Sequence, residues 1–527
     1  MCRYRSFAVN TKHPVLTRPI SNPQNPFSAP KFWSPGYADG LFVSASPLGP
    51  FAFEPYSPMS SKPSGFAAGA GHSSTFTSPF PSRGLYHIAT SSISVRAMFE
   101  RRLGIYPTLL TNERLLVDTY LGDYPHDLPS AAAACAVGGN TAAEVGAGSF
   151  SGKLPKWMLL TYNKPVSVSS TLSPNHTAAL AVNEDIRTWW SAKTGGPTEW
   201  LSVQMAGSGS APCHYASQPY RGNPGICHEG HTAAGQCNVT SGQPGTCASA
   251  GFTLCCETYG MGHNWIQSWF QMPKTCDDDG SRGPYATRQC GQNSAQPVAQ
   301  TLPANIGAGG VTVHALQVNF ADQDSTIVGN RPTPSDAYRW KVEYTRVTAA
   351  TGAAAEWIAI PELDLSKNAA DRPHHYVELS TPLANVGAMR ITNLHMPGGA
   401  KFSLSGFRAF GVGAGTVPAP IGAGEVQVHR DSADQRHANV SWAPSARAEF
   451  YIVRFGLSGQ ETFHSVQIYP ERQEEQEEKE RGGQEQGRKR GCCVAEINSL
   501  VDGVAYEFVV DSVNAVGVTL GRGSTVA

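Results

Sequence analysis

The sequence predicts an all-β chain built from several modules. Two observations carry this expectation. Short apolar runs of about five to eight residues, rich in Val, Ile, Phe and Tyr, alternate with clusters of Gly, Pro, Asn and Ser. Glycine (54) and proline (38) are both plentiful, which suits tight turns between strands and works against a helical bundle. A length of 527 residues points to three or four domains.

Charge narrows the function classes. Charged residues make up 15% of the chain and the formal net charge is −1, so there is no electrostatic footprint for nucleic acid or an anionic membrane surface. No apolar run reaches the roughly 18 residues needed to span a bilayer. Twelve cysteines, eight of them between Cys213 and Cys290, and three N-x-[ST] sequons at Asn175, Asn238 and Asn439 fit an oxidising, extracellular setting. Residues 1–19 lack the apolar core of a secretory leader. These two signals disagree, and a longer precursor is the simplest reconciliation.

Residues 1–36 read as irregular. Within 37–129, the runs GLFVSA (40–45), FAFEPY (51–56), GLYHIAT (84–90), SISVRAMF (92–99) and RLLVDTYLG (114–122) read as strands. An Ala/Gly-rich stretch at 130–157 reads as linker or loop. A second all-β block, 158–413, is interrupted at 207–310 by a Gly-, Cys-, Ser- and Gln-rich insert. The segment 414–424 is a Gly/Pro linker. The last block, 425–527, is interrupted by the charge run 471–491, which reads as disordered or as a solvated helix, a passive insertion.

In the last block, LVDGVAYEFVVDSVNAVG (500–517) sets Leu500, Gly503 and Tyr506 at the spacing of a tyrosine corner, and HANVSWAPS (437–445) places Trp442 in an early strand. These residues resemble a fibronectin type III domain, which implies a β-sandwich with a spacing or packing role.

In the middle block, AVNEDIRTWWSAKTGGPTEWLSVQM (181–205), YRWKVEYT (338–345), PHHYVELSTPLANVGAMRITNLHMP (373–397) and FSLSGFRAFG (402–411) resemble a discoidin-like, or F5/8 type C, domain. The resemblance implies a jelly-roll β-sandwich whose loops at one end bind sugars, sometimes beside calcium. Trp189, Trp190 and Trp200 are candidates to stack on sugar, with at least two of the three also readable as core. Asp185 reads either as a calcium ligand or as a loop cap. The cysteine-rich insert reads as a disulfide-stapled loop, as a zinc site near Cys227, His228 and His231, or as translated non-coding sequence.

In the first block, SPLGPFAFEPYSP (46–58), KPSGFAAGAGHSSTF (62–76), GLYHIATSSISVRAMFERRLGIYP (84–107) and YLGDYPHDLP (120–129) resemble the closing blades of family 43 glycoside hydrolases. The resemblance implies part of a five-bladed β-propeller. It also implies inverting hydrolysis of arabinofuranosyl or xylosyl bonds in a plant- or algal-type polysaccharide by an Asp base and a Glu acid. The blades that carry those carboxylates have no counterpart here, so no catalytic residue is assigned. A non-catalytic, carbohydrate-binding or adhesion protein is the alternative. His72 is the candidate ligand of an axial calcium, against an ordinary core histidine. Arg101 is a candidate substrate contact, and Arg101 and Arg102 are otherwise partners of acids such as Glu100. Asp39 reads as a turn residue, Glu54 as a surface strand residue and Asp123 as structural.

Overall fold

The protein is described from a computed structural model. Apart from short gaps, it describes residues 35–126, 154–205, 310–470 and 493–527, together with the backbone of short strands at 15–19 and between 212 and 256. The charge run 471–491, the stretch 130–153 and the side chains of the cysteine-rich insert lie outside the described residues. The chain divides into two compact units. One comprises Met1–Ile93, Met98–Met158 and Val417–Ala527; the other comprises Ser94–Ala97 and Leu159–Thr416.

The second unit is the sandwich. Its organising element is the strand His374–His395, 22 residues long. The first part of that strand pairs with Val311–Phe320, which pairs in turn with Ser403–Val412. Its last part pairs with Trp200–Gln204 on one side and Arg339–Arg346 on the other. One strand therefore serves two sets of partners, as a jelly roll requires of strands that cross between layers. The closing strand SLSGFRAFGV is buried at every position but its last. Trp190, Trp340, Phe320, Phe402, Phe407 and Phe410 are wholly buried and form the aromatic centre. Trp190 and Phe402 meet edge to face, 5.3 Å between ring centres and with their planes at 87°.

In the first unit, the strands Gly71–Thr77, Leu85–Ser92, Arg101–Leu110 and Leu115–Val117 pair in chain order as a four-stranded antiparallel meander. Strands Val15–Pro19, Asp39–Val43 and Ala52–Phe53 form a separate three-stranded sheet. Meanders of four strands are the unit from which propellers are assembled. The described residues hold one such sheet, not five.

The C-terminal part folds as two sheets. One runs Val426–Arg430, Ala438–Trp442, Val494–Ile497; the other runs His464–Ile468, Phe450–Leu457, Tyr506–Asn514, Gly517–Thr519. Trp442, Val440, Ile497, Tyr451, Val453, Phe508 and Val510 close the core between them. The tyrosine corner is present. The Tyr506 hydroxyl accepts the Val501 N–H at 3.1 Å, and Gly503 adopts the left-handed φ of 72° that the turn needs.

This sandwich shares a buried polar network with the N-terminal sheets of the same unit. Arg454 donates to both oxygens of Asp511, at 2.6 and 2.9 Å, and to the Thr462 hydroxyl at 2.9 Å. The Tyr120 hydroxyl, from the N-terminal part, donates to the same Asp511 carboxylate at 2.9 Å. Burial first, and the Asp511 charge second, push the Tyr120 phenol well above its ordinary range. Beside it, the buried Lys62–Asp123 pair, 3.2 Å apart, holds the 62–67 turn: Asp123 also accepts the Phe66 N–H at 2.7 Å. Asp123 is structural, as its sequence context implied.

Two predictions follow from this packing. Asp511→Ala strands a buried guanidinium and should lower unfolding stability by about 3–5 kcal/mol, whereas Tyr120→Phe removes one of several donors and should cost about 1–3 kcal/mol; urea titration separates the two. His87 is fully buried, with only Nδ1 partnered, by Thr75 Oγ1 at 2.9 Å, and burial lowers its pKa to about 4. A histidine whose folded pKa is depressed contributes stability that is present above its unfolded value and lost as pH falls through the folded one. Thermal melts should therefore show an acid loss between about pH 6.5 and 4 that is shallower in His87→Gln.

Candidate functional site

In the sandwich, the loop between Ala181 and Trp190 is wired to itself. Asn183 Nδ2 donates to Thr188 Oγ1 at 2.9 Å, and the Asn183 side-chain oxygen accepts the Asp185 N–H at 3.1 Å. Both Asp185 oxygens are held by Arg187, through Nε at 2.9 Å and Nη2 at 3.0 Å, with the Arg187 N–H adding a third bond at 3.0 Å. In this arrangement Asp185 organises the backbone and the Arg187 side chain of its own loop.

The loop ends on adjacent tryptophans with opposite fates. Trp190 is fully buried, its Nε1 donating to the Ser170 carbonyl at 3.1 Å. It is a core residue, and the expectation that its ring meets sugar is corrected: neither face reaches water. Trp189 is half-buried. Its Nε1 donates to Gln323 Oε1 at 3.1 Å, and the His176 ring lies 5.4 Å from it, tilted by 57°. Gln323 Nε2 donates to Asp324 Oδ1 at 2.6 Å, and Asp324 Oδ2 takes the Lys401 ammonium. The Lys401 N–H returns to the Gln323 carbonyl at 2.8 Å.

The side chains His176, Trp189, Gln323, Asp324 and Lys401 thus form a continuous line from one aromatic platform to one ion pair. Burial keeps His176 below its ordinary pKa, against the pull of Asp324, and Ser173 Oγ holds its Nδ1 at 2.9 Å. The Lys401 ammonium, foremost, holds the Asp324 carboxyl below the usual carboxylate range. The site offers an apolar face, a neutral imidazole, an amide and a self-neutralised charge pair.

Trp200, the third tryptophan candidate, is half-buried in the strand Trp200–Gln204 opposite Thr392. It belongs to a different polar cluster. Its neighbour Glu199 accepts from the hydroxyls of Ser169, Ser170 at 2.8 Å and Thr194 at 2.8 Å. Burial disfavours the Glu199 charge, but these donors outweigh it and lower its pKa.

In the first unit, His72 stands exposed on the strand Gly71–Thr77 with φ 55°. Its backbone N–H, not its ring, makes the notable contact, to Asp39 Oδ1 at 3.1 Å. Gly71 permits close approach, but the neighbour is a ring: a Cβ there would come within 2.7 Å of Tyr37 Cε1. The Arg101 guanidinium lies 4.8 Å over that same ring and donates to the Thr90 carbonyl at 3.2 Å. Arg102 pairs with Glu100 at 2.9 Å.

Asp39 departs most from its sequence reading. It opens the strand Asp39–Val43, where a turn residue was expected, and is 1% exposed. Oδ2 has no hydrogen-bond partner, and burial pushes the carboxyl above the usual carboxylate range, against the pull of the Ser73 and His72 groups beside it.

Both Asp185 oxygens face the exposed Arg187, and among the described residues no three histidine, cysteine or carboxylate side chains converge on one point. The candidate zinc residues Cys227, His228 and His231 lie outside the described side chains.

Sequence reasoning missed His176, Gln323, Asp324 and Lys401. Gln323 and Asp324 lie in the turn FADQD (320–324), whose Asp-x-Asp is a turn signal. Nothing local indicates that it meets a tryptophan 134 residues away.

No protein-family model matches the chain, and no curated protein matches it. Among solved structures it is similar to chitosan-binding module 1 of a chitosanase/glucanase from Paenibacillus sp. IK-5, at 9% identity over 48% of this chain and 98% of that one, with a TM-score of 0.22. It is also similar to an F-lectin from striped bass (Morone saxatilis) serum, at 7% identity over 71% and 98%, with a TM-score of 0.21. A two-domain fibronectin type III segment of chicken tenascin aligns at 14% identity over 41% and 92%, with a TM-score of 0.15. At such scores the fold rests on the strand pairing itself. Among the described residues no helix is long and apolar enough to cross a membrane.

Proposed function

We propose that this chain is an extracellular carbohydrate-binding protein whose sandwich holds a neutral polysaccharide segment, of the arabinan or xylan type, against Trp189. The observation that supports it is the half-buried Trp189 ring, whose Nε1 is fixed by Gln323 while His176 sits against it. An aromatic face matches the C–H side of a sugar ring, and the surrounding imidazole, amide, carboxylate and ammonium can exchange hydrogen bonds with sugar hydroxyls. The cancelled charge of Asp324 and Lys401 suits a neutral ligand better than a uronate or an amino sugar. The resemblance to discoidin-like domains supports the same reading.

Trp189→Ala should weaken binding to arabinan or xylan oligosaccharides by about 2 kcal/mol with little change in melting temperature. Trp190→Ala should instead destabilise the sandwich by about 3–5 kcal/mol. Isothermal titration and thermal melts read the two effects, and wild-type affinity in the Trp189 variant would overturn the assignment.

The second reading is family 43-like hydrolysis of arabinofuranosyl or xylosyl bonds, and one observation favours it. Asp39 is a carboxyl 1% exposed whose Oδ1 accepts the His72 N–H, and burial raises its pKa, a perturbation that clusters at functional sites. Among the described carboxylates of these sheets, Glu100 pairs with Arg102, Asp123 pairs with Lys62, and Asp118 caps the Tyr120 N–H at 3.0 Å. If the reading holds, the full chain releases phenol from aryl arabinofuranosides or xylosides, and Asp39→Asn slows that release by about 100-fold or more. A wild-type chain that releases nothing rejects hydrolysis and leaves the binding reading intact.

A further inference from the structure

We propose that Asn175 is N-glycosylated and that its glycan stands at the rim of the Trp189–His176 platform, where it limits access; the second half rests on the carbohydrate-binding reading above. Asn175-His176-Thr177 is an acceptor sequon with no proline at its middle position. The structure gives the sequon a place. Residues Pro174–His176 form a single 3-10 turn, and Asn175 is exposed at its centre. Its neighbour within the same sequon, His176, is turned the other way. Ser173 holds its Nδ1, and its ring rests against Trp189. One turn therefore presents an acceptor amide to solvent and lays the next side chain on the candidate sugar platform.

Distance makes the two functions interfere. Adjacent Cα atoms are about 3.8 Å apart, whereas a single pyranose is wider than that. A branched glycan rooted at Asn175 is many times longer than that spacing and can reach round the turn to the space beside His176. Of the other two sequons, Asn439 is exposed on a strand of the other compact unit, and the side chain of Asn238 lies outside the described residues. In the modification, Asn175 Nδ2 attacks the anomeric carbon of a lipid-pyrophosphate-linked oligosaccharide. The N–C bond forms, the C–O bond to pyrophosphate breaks, the lipid pyrophosphate leaves, and the amide proton passes to a base of the transferase.

The test is to secrete the full chain from a eukaryotic host and map glycopeptides by mass spectrometry. Treatment with peptide N-glycosidase in heavy-oxygen water marks each occupied asparagine. An occupied Asn175 is expected, lost in both Asn175→Gln and Thr177→Val; the second variant keeps the asparagine and guards against a folding defect in the first. Binding to arabinan and xylan should rise several-fold, and equally, in both variants and in the enzymatically deglycosylated chain. An unmodified Asn175 in the secreted chain overturns the proposal. An occupied Asn175 with binding unchanged by its removal overturns the access half. If no form binds either polysaccharide, the deglycosylated chain included, the carbohydrate-binding reading and the access half fall together while glycosylation stands.

Discussion

The sandwich depends on one buried ion pair. Arg408, on the closing strand, donates to both oxygens of Glu184 at 2.9 and 2.8 Å, and both side chains are 1% exposed. Arg408 also donates to Gln317 at 2.6 Å and lies 4.8 Å over the Phe410 ring. Bringing two charges out of water costs several kcal/mol each, and only a bidentate geometry with further hydrogen bonds offsets that. The pair therefore tolerates no slack. It fixes the first loop of the module to its last strand and to Val311–Phe320. It also accounts for the left-handed φ of 60° at Glu184, a conformation that a non-glycine residue keeps only where its surroundings over-determine it.

The geometry of the platform follows from that anchor. With Glu184 fixed, the chain enters the strand at Trp190 in a set register, pairing Trp190 with Leu404 and Ser191 with Ser403. Successive side chains of an extended segment point to opposite faces. Sending Trp190 inward against Phe402 therefore sends Trp189 outward toward Gln323. The Trp-Trp pair reads ambiguously in the sequence because either member could be the buried one. Register decides, and register is set by a partner more than two hundred residues away.

The same distinction separates what was legible elsewhere. Strand runs, the tyrosine corner of Leu500, Gly503 and Tyr506, and the Arg102–Glu100 pair depend on neighbours within a few residues, and the local pattern is enough to find them. Asp39 reads as a turn residue because its local context, Ala38-Asp39-Gly40, is that of a turn. Its actual surroundings come from Tyr37, His72 and the strands that carry them. His72 was read from a glycine-rich motif, and the crowding that motif implies is present. It accommodates the Tyr37 ring and leaves the imidazole in water. The Tyr120–Asp511 bond spans 391 residues, and no local pattern announces it. That bond makes the C-terminal sandwich part of the core of its unit, beyond the spacing role its family resemblance implies.

Electrostatics gives the candidate site its character. Lys401 and Asp324 neutralise each other, and burial favours the uncharged form of His176. What remains around Trp189 is a set of oriented hydrogen-bonding groups, with the Arg96 charge also acting on Asp324. Such a site cannot draw in a ligand from a distance as a charged cleft does. It has to discriminate at contact, by how hydroxyls meet the amide, the imidazole and the ion pair while a ring face covers the indole. Recognition of that kind yields modest affinity per site, which repetition along a polymer can raise. A long, uncharged, hydroxyl-rich chain would present many equivalent places for one shallow aromatic platform, which is why the proposed ligand is a polymer and not a single sugar.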